Sequence, residues 1–235
     1  MAASFVQEVA VLAGAGTSAV VTKVAAGNTT EGNLLVALAG SGNTASNPVT
    51  FSDSKGNTWT KTVELVRATG PQLSVGWCIV AAGKSHVAGT DTFTATWTST
   101  INSRVLMVDE FAGLTASPLD LNATGNGTAT SLATAATATT TQADELLIGA
   151  FAATFGLTGY AFTPGATYTQ ASQSNGVRPA YALTEYRVVS ATGAYTADST
   201  VAGTPDGWCA GIITFKAAAT GSPTGHLLAS AGTGQ

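Results

Sequence analysis

Histidine is scarce in this chain of 235 residues, and only His86 and His226 could act as a base or bind a metal. His86 lies in the turn-like segment GKSHVAGTD, and His226 lies near the C-terminal end. A Ser-His-Asp triad or a zinc site would need one of them with partners at fixed spacing. There is no G-x-S-x-G motif and no Cys/His pairing at metal spacing. We therefore expect no catalytic residue, no metal and no cofactor.

Carboxylates occur side by side twice, as Asp109-Glu110 and Asp144-Glu145. Neighbouring residues on a strand point to opposite faces of the sheet, so neither pair predicts an acid–base couple. Two facing carboxylates from distant strands, or a basic group beside one of them, would indicate a polysaccharide lyase or hydrolase. An enzyme is therefore the weakest of our hypotheses.

Two loop motifs have a structural and a functional interpretation. Asp53 and Asn57 in FSDSKGNTW could ligate calcium, but Lys-Gly-Asn is typical of a hairpin turn, which we favour. Gly14 and Gly16 match the dinucleotide pattern G-x-G-x-x-A, which works only where the glycines open a helix. The residues that follow predict another strand, so we expect a hairpin there.

Three aromatic residues, Trp59, Tyr160 and Tyr168, lie near turns or on polar strands. Aromatic faces suit the apolar side of a pyranose, so these residues could form a platform for a glycan. The alternative, which we favour, is that they cap the ends of the core.

Hydrophobic residues alternate with a period of two. DTFTATWTS places Phe93, Ala95 and Trp97 on one face and threonines on the other, as in a strand half covered by a core. Similar short runs recur, separated by clusters of Gly, Asn, Asp and Pro that are typical of turns. The sequence predicts an all-β protein.

The two halves of the chain echo each other. GNLLVALAG, FSDSKGNTWT, LSVGWCIVAAG, DTFTATW and VLMVDEFAG are followed, in the same order, by DELLIGAFA, FTPGATYTQ, AYALTEYRVVSATG, AYTADSTV and WCAGIITFK. The repeat fits two domains or one interleaved sandwich. We predict a single antiparallel β-sandwich of jelly-roll type over residues 1–216, with halves at about 20–113 and 140–216, because interleaving hides the sheet edges.

Composition excludes several classes of partner. Charged residues make up 9% of the chain, and nine Lys and Arg, spread singly, cannot neutralise many phosphates, so we expect no nucleic acid. No apolar run is long enough to predict a membrane helix. Cys78 and Cys209 lie in apolar runs, where buried free thiols are favoured over a disulfide.

Two segments of low complexity flank the second half. The Thr/Ala-rich residues 122–143 predict an extended strand or loop over the surface. Residues 217–235 predict an extended, flexible C-terminal arm, and His226, Leu227 and Leu228 are the residues through which it would bind a partner.

Several of these segments resemble a domain common in virion proteins of tailed bacteriophages and in bacterial surface proteins. The resemblance rests on GNLLVALAG, FSDSKGNTWT, GWCIVAAG, DTFTATW, VLMVDEFAGL and DELLIGAFA, and it covers roughly residues 20 to 216. Relatives of the phage type are minor tail, head-fibre or capsid-decoration proteins without enzymatic activity. Relatives of the surface type carry an export signal, whereas this N-terminal segment predicts a strand.

The resemblance implies a non-enzymatic structural protein of the virion, made in the host cytoplasm. Its expected partners are other capsid or tail proteins and further copies of itself, and a trimer is one form that fits. Few charges mean little repulsion between copies, which agrees with this expectation. The alternative is a carbohydrate-binding or host-adhesion module that binds a host-surface glycan.

Overall fold

The computed structural model describes residues 2–42, 46–68, 70–154, 160–174 and 180–219. Every regular element in them is a β-strand, so they contain no helix that could cross a membrane. The strands are β1 Ser4–Val24, β2 Leu34–Ser41, β3 Val49–Asp53, β4 Thr60–Val66, β5 Gln72–Ile79, β6 Thr92–Ala112, β7 Leu114–Gly127, β8 Ser131–Ala133, β9 Asp144–Thr154, β10 Phe162–Pro164, β11 Thr169–Ser174, β12 Ala180–Ser190, β13 Asp198–Val201 and β14 Gly207–Ala217.

Each half of the chain builds its own antiparallel sheet. The first sheet has the order β1-β6-β2-β5-β4, with β3 also paired to β6, and the second has the order β11-β12-β9-β14-β7. When the second sheet is followed from β7, its strand order repeats that of the first sheet. The equivalent strands are β7 and β1, β14 and β6, β9 and β2, β12 and β5, and β11 and β4. This agrees with the echo between the two halves of the sequence.

The central strands are buried on both faces. On β2, Leu34, Val36 and Leu38 face the second sheet, whereas Leu35 and Ala37 face the other way. β9 and β14 alternate in the same manner, and this two-sided burial explains their uninterrupted apolar sequences. A central core therefore lies between the two sheets, and each sheet has a second core on its outer face.

A small three-stranded layer covers each outer core. In the first half, the ends of β1 and β6 combine with β3, and Phe93, Ala95 and Trp97 pack onto the outer side of β2. In the second half, β8, β13 and β10 form a separate three-stranded sheet that packs over β9 and β14. The protein is thus a β-sandwich with four layers, in which the two large sheets lie back to back.

The interleaving that we predicted from the repeat is wrong for the described residues. No strand of one half pairs there with a strand of the other; the halves are joined at Gly113 and stacked. A jelly roll distributes the strands of each half over both sheets, so this order does not confirm a jelly roll. The all-β, antiparallel sandwich itself is confirmed.

The N-terminal glycines do not form the hairpin that we expected. Gly14 lies inside β1, paired with Arg104 of β6, and the register shifts between Ala15 and Ser18 and again before Val20. Such bulges bend a strand pair. Because of the bend, β1 and β6 contribute both to the first large sheet and to the layer that covers it.

The Thr/Ala-rich linker is extended, as the sequence predicted, and backbone hydrogen bonds hold it in place. Thr134, Thr137 and Thr140 are buried, and their backbone N–H groups donate to the carbonyls of Ala197, Tyr195 and Gly193. Each threonine hydroxyl accepts a hydrogen bond from the N–H of the same partner residue. The spacing of three between threonines therefore fixes this extended segment along residues 193–197.

The four-layer arrangement predicts that two leucines of β2 stabilise different cores: Leu38 the central core and Leu35 the outer core. Leu35→Ala and Leu38→Ala should each lower the free energy of unfolding by about 2–5 kcal/mol, because both side chains are fully buried. Urea unfolding measures this, with Thr50→Ala on the outer layer as a control expected within about 0.5 kcal/mol of wild type. A nearly neutral Leu35→Ala would contradict the outer core.

Candidate functional site

The first half contains a buried Asp-His-Thr arrangement. The Nε2 of His86 lies 3.4 Å from Oδ1 of Asp53, with both side chains fully buried, and its Nδ1 lies 3.0 Å from the hydroxyl of Thr29. The Thr29 hydroxyl also accepts a hydrogen bond from the backbone N–H of His86. Because this hydroxyl is buried in the protein, it is not placed to attack a substrate, and the arrangement ties three loops together.

Asp53 and Asn57 serve the hairpin turn that we favoured over a calcium site. Oδ1 of Asp53 accepts the backbone N–H groups of Lys55 and Asn57, and Oδ2 accepts the indole N–H of Trp59 at 2.7 Å. Burial raises the pKa of Asp53, but the hydrogen bonds from His86 and Trp59 outweigh it and hold the pKa at about 2. The Asn57 amide donates to the carbonyl of Lys84 and accepts from Ala81.

The three aromatics proposed as a glycan platform are not brought together. Trp59 packs in the first outer core against Phe51 and Phe93. Tyr160 and Tyr168 pack in the second outer core, where Tyr168 is 8% exposed and its hydroxyl donates to a backbone carbonyl. All three contribute to the packing of the two outer cores, which is the role that the sequence favoured.

One carboxyl group connects the two large sheets. Asp109 of β6 points into the central core, where it accepts hydrogen bonds from the hydroxyls of Ser172 on β11 and Thr184 on β12. Burial raises the pKa of Asp109 to about 7, against the lowering effect of these hydrogen bonds. Its neighbour Glu110 points to the opposite face, as the sequence predicted, and accepts from Gln7, Thr30 and Asn33.

The second half has a polar group at the position equivalent to that of Glu110. Leu34 pairs with Phe111 in the first sheet, and Leu146 pairs with Phe215 in the second, so the two pairs are equivalent. Glu145, which precedes Leu146, is therefore equivalent to Asn33, which precedes Leu34. By the same register, Thr214 takes the place of Glu110. In the first half the carboxyl is that of Glu110 and the neutral residue is Asn33, whereas in the second half the carboxyl is that of Glu145 and the neutral residue is Thr214. The two types of residue have exchanged positions, and the site is polar in both halves.

Glu145 faces a second carboxylate, which the sequence could not show. Burial and then Asp120 of β7 raise the pKa of Glu145 to about 7. Burial also raises the pKa of Asp120, but hydrogen bonds from Thr141 outweigh it and hold the value at about 2, and Lys216 lies 3.1 Å away. Glu145 is fully buried, so this pair joins the edge of the sheet to its centre and is closed to a substrate.

Glu185 is a further buried carboxyl, located under the outer layer of the second half. Its Oε2 accepts the backbone N–H of Gly165 at 3.0 Å. Burial raises the pKa of Glu185 to about 8, and Asp198 adds to the increase. No sequence motif predicts that Glu185 is buried, because its burial depends on the outer layer, which distant strands form.

The two cysteines are free and lie in different cores, as the sequence favoured. Cys209 donates to the carbonyl of Pro71, and burial raises its pKa to about 12. Burial also raises the pKa of the Cys78 thiol. Neither thiol is in a state to act as a nucleophile.

The C-terminal arm begins beside two shallow pockets. The first, of about 390 Å³, lies between Ala2–Ala3, Val188–Ser190 and Ala217–Ala218, with Asp144 at its side. The second, of about 310 Å³, shares Asp144 and Ala217 with it. The predicted arm residues His226, Leu227 and Leu228 lie outside the described residues.

No family model, no curated protein and no solved structure matches this chain. Its function therefore has to follow from its own surfaces and buried groups.

Packing by Trp59 predicts a loss of stability when its ring is removed. Trp59→Ala should lower the free energy of unfolding by about 3 kcal/mol, because it opens the outer core and leaves Asp53 without the indole donor. Trp59→Phe, which keeps a ring but loses the donor, should cost about 1–2 kcal/mol. Unchanged stability of Trp59→Ala, together with lost retention on a glycan resin, would return Trp59 to a binding role.

The buried carboxyls predict that stability falls between pH 5 and pH 8. Asp109, Glu145 and Glu185 have pKa values raised to about 7, 7 and 8, so the stability that they contribute in protonated form is lost as the pH rises through those values. Asp53 and Asp120, with pKa values near 2, lose their contribution only as the pH falls below about 4. Urea midpoints should therefore be highest near pH 4–5.

A single variant isolates one of these groups. Glu185→Gln keeps the shape and the acceptor for Gly165 but cannot ionise, so the decline towards pH 8 should become shallower. Glu31→Gln, which changes an exposed carboxylate, is the matched control and should leave the profile as in wild type. An equal midpoint at pH 5 and pH 8 in the wild-type chain would show the assignment to be wrong.

Proposed function

We propose that this chain is a non-enzymatic structural protein of a tailed-bacteriophage virion, which packs against capsid or tail neighbours and against copies of itself. The motifs that resemble phage virion proteins support this proposal. The observation that carries it is an outer face on the first half of the molecule whose outward side chains are uncharged.

This face, which we call the threonine face, is formed by three paired strands. Its outward residues are Val20, Thr22 and Val24 of β1, Thr92, Thr94 and Thr96 of β6, and Thr50 and Ser52 of β3. Thr22 and Thr94 are directly opposite and hydrogen-bonded at 2.9 Å, and Val20 and Val24 are 43% and 42% exposed. The face combines methyl groups with hydroxyls, of which those of Thr22, Thr94 and Thr50 already have hydrogen-bond partners, and this suits a modest contact with another protein surface.

The size of the threonine face favours a repeated contact. Three strands about 4.8 Å apart and some five residues long present only a few hundred Å². A stable interface between two proteins buries about 800 Å² on each partner. One such contact is weak, but many copies held on one particle bind through effective concentration, as in a virion lattice.

A charge placed on the threonine face tests the proposal. Thr94→Arg should reduce the amount of this chain in purified particles at least tenfold, because the arginine would have to be desolvated on packing. Quantitative mass spectrometry of particles, produced with the variant gene in place of the wild-type gene, measures this amount. Thr124→Arg, on an exposed position of β7, is the matched control and should be incorporated normally.

Two outcomes would contradict different parts of the proposal. If neither the wild-type chain nor any variant is found in particles, the virion role is wrong. If Thr94→Arg and Thr124→Arg are incorporated equally, the virion role stands and the threonine face is not the contact. Urea unfolding of both variants, expected within about 0.5 kcal/mol of wild type, excludes misfolding as the cause.

A further inference from the structure

Three strands of the second sheet bring a lysine and two carboxyl groups together. Lys216 of β14 is paired with Glu145 of β9, so both side chains lie on the same face of the sheet. On the other side of β14, the register with β7 shifts between Ile213 and Phe215, which leaves an extra β7 residue beside Asp120. A bulge of this kind redirects a side chain. The Nζ of Lys216 lies 3.1 Å from Oδ1 of Asp120.

The surroundings of this pair differ from those of an ordinary ion pair on a protein surface. The side chain of Asp120 is 3% exposed and that of Lys216 is 30% exposed. Glu145 is fully buried, and neither of its carboxyl oxygens has a hydrogen-bond partner of good geometry among the described residues. A buried carboxyl without such a partner is costly and calls for an explanation, of which a role in chemistry is one.

The lysine and the carboxyl of Asp120 are placed for a condensation. A lysine amine is a nucleophile, and the ion pair holds it against the carboxyl group whose carbon it would attack, so no translational freedom has to be lost. The hydroxyl of Thr141 donates to Oδ1 of Asp120 at 2.6 Å, and its backbone N–H donates to Oδ2 at 2.7 Å. These bonds fix the orientation of the carboxyl, and the N–H stabilises negative charge that develops on Oδ2.

We propose that Lys216 and Asp120 form an amide bond with each other, and that Glu145 relays the protons. A proton of the Lys216 ammonium first passes to the Asp120 carboxylate, which leaves a neutral amine beside a neutral carboxyl. The nitrogen then bonds to Cγ of Asp120, and the bond between Cγ and Oδ1 breaks. Glu145 gives its proton to the departing oxygen and receives one from the nitrogen, so it ends unchanged and one water molecule is released.

The protonation states of the three groups are compatible with these steps. Burial raises the pKa of Asp120, but hydrogen bonds from Thr141 hold it at about 2, so the ion pair is the resting form. Transfer of one proton within the pair reaches the reactive form without changing the charge of the site, and burial favours neutral groups. Burial and then Asp120 raise the pKa of Glu145 to about 7, which suits a group that gives and accepts a proton near neutral pH.

The amide bond would fasten the end of the second sheet. It joins β7, an edge strand, to β14, from which the chain continues into the C-terminal arm. Asp120 and Lys216 are far apart in the sequence, so the bond closes a long loop and restricts the unfolded chain. This inference is independent of the virion proposal, since the reaction needs only the isolated chain.

Intact-mass spectrometry of the full-length chain tests the bond. The wild-type chain should be lighter than its sequence by one water molecule, and a branched peptide should link Asp120 to Lys216. Lys216→Arg keeps the charge without a primary amine, and Glu145→Gln keeps the shape without a proton to relay, so the linked fraction should fall at least about tenfold in each. Lys55→Arg, in the ion pair of Lys55 with Asp91 at 3.0 Å, is the matched control and should remain linked.

Thermal unfolding gives a second readout of the same bond. The linked wild-type chain should unfold at least about 10 °C above Lys216→Arg, whereas Lys55→Arg should unfold within about 2 °C of wild type. A wild-type chain that keeps its full sequence mass after prolonged incubation would overturn the proposal. So would a loss of water that persists in Lys216→Arg or maps to other residues. Complete linkage in Glu145→Gln would show the assignment of the proton relay to be wrong.

Discussion

Burial of the central strands on both faces is the constraint on which the rest of the structure depends. β2, β9 and β14 have no face left for water, so each needs a second sheet on one side and a covering layer on the other. The bends in β1 and β6 follow from this need, because the first half covers its own sheet with the ends of the same strands. In the second half, the separate strands β8, β10 and β13 form the covering layer.

Two of the buried carboxyls, those of Asp109 and Glu110, are held by donors from several different elements. Asp109 accepts from two strands of the opposite sheet, and Glu110 accepts from three loop and edge residues. A buried carboxyl is costly unless it is neutral or fully hydrogen-bonded. Each therefore disfavours any packing of the sheets that would leave it without its partners, and we interpret them as specifying the stacking of the layers.

Local features of the sequence were predictable, and long-range ones were not. The alternation in DTFTATW correctly placed Phe93, Ala95 and Trp97 inside, and the adjacent Asp109 and Glu110 do point to opposite faces. A period of two, however, gives the face of a strand and not its neighbours in the sheet, so it cannot distinguish interleaved halves from stacked ones. The pairing of Asp120 with Glu145 depends on β7 and β9 flanking β14, which no local pattern reveals.

Placement of the acidic residues explains how a chain with so few charges can present neutral outer faces. Six of the thirteen acidic residues have buried side chains: Asp53, Asp109, Glu110, Asp120, Glu145 and Glu185. Three of these have pKa values raised to 7 or above, so the formal net charge of −4 overstates the negative charge at neutral pH. Repulsion between copies is correspondingly small. The threonine face itself has only threonine, valine and serine side chains, so it is free of charge and suited to close approach by a neighbour.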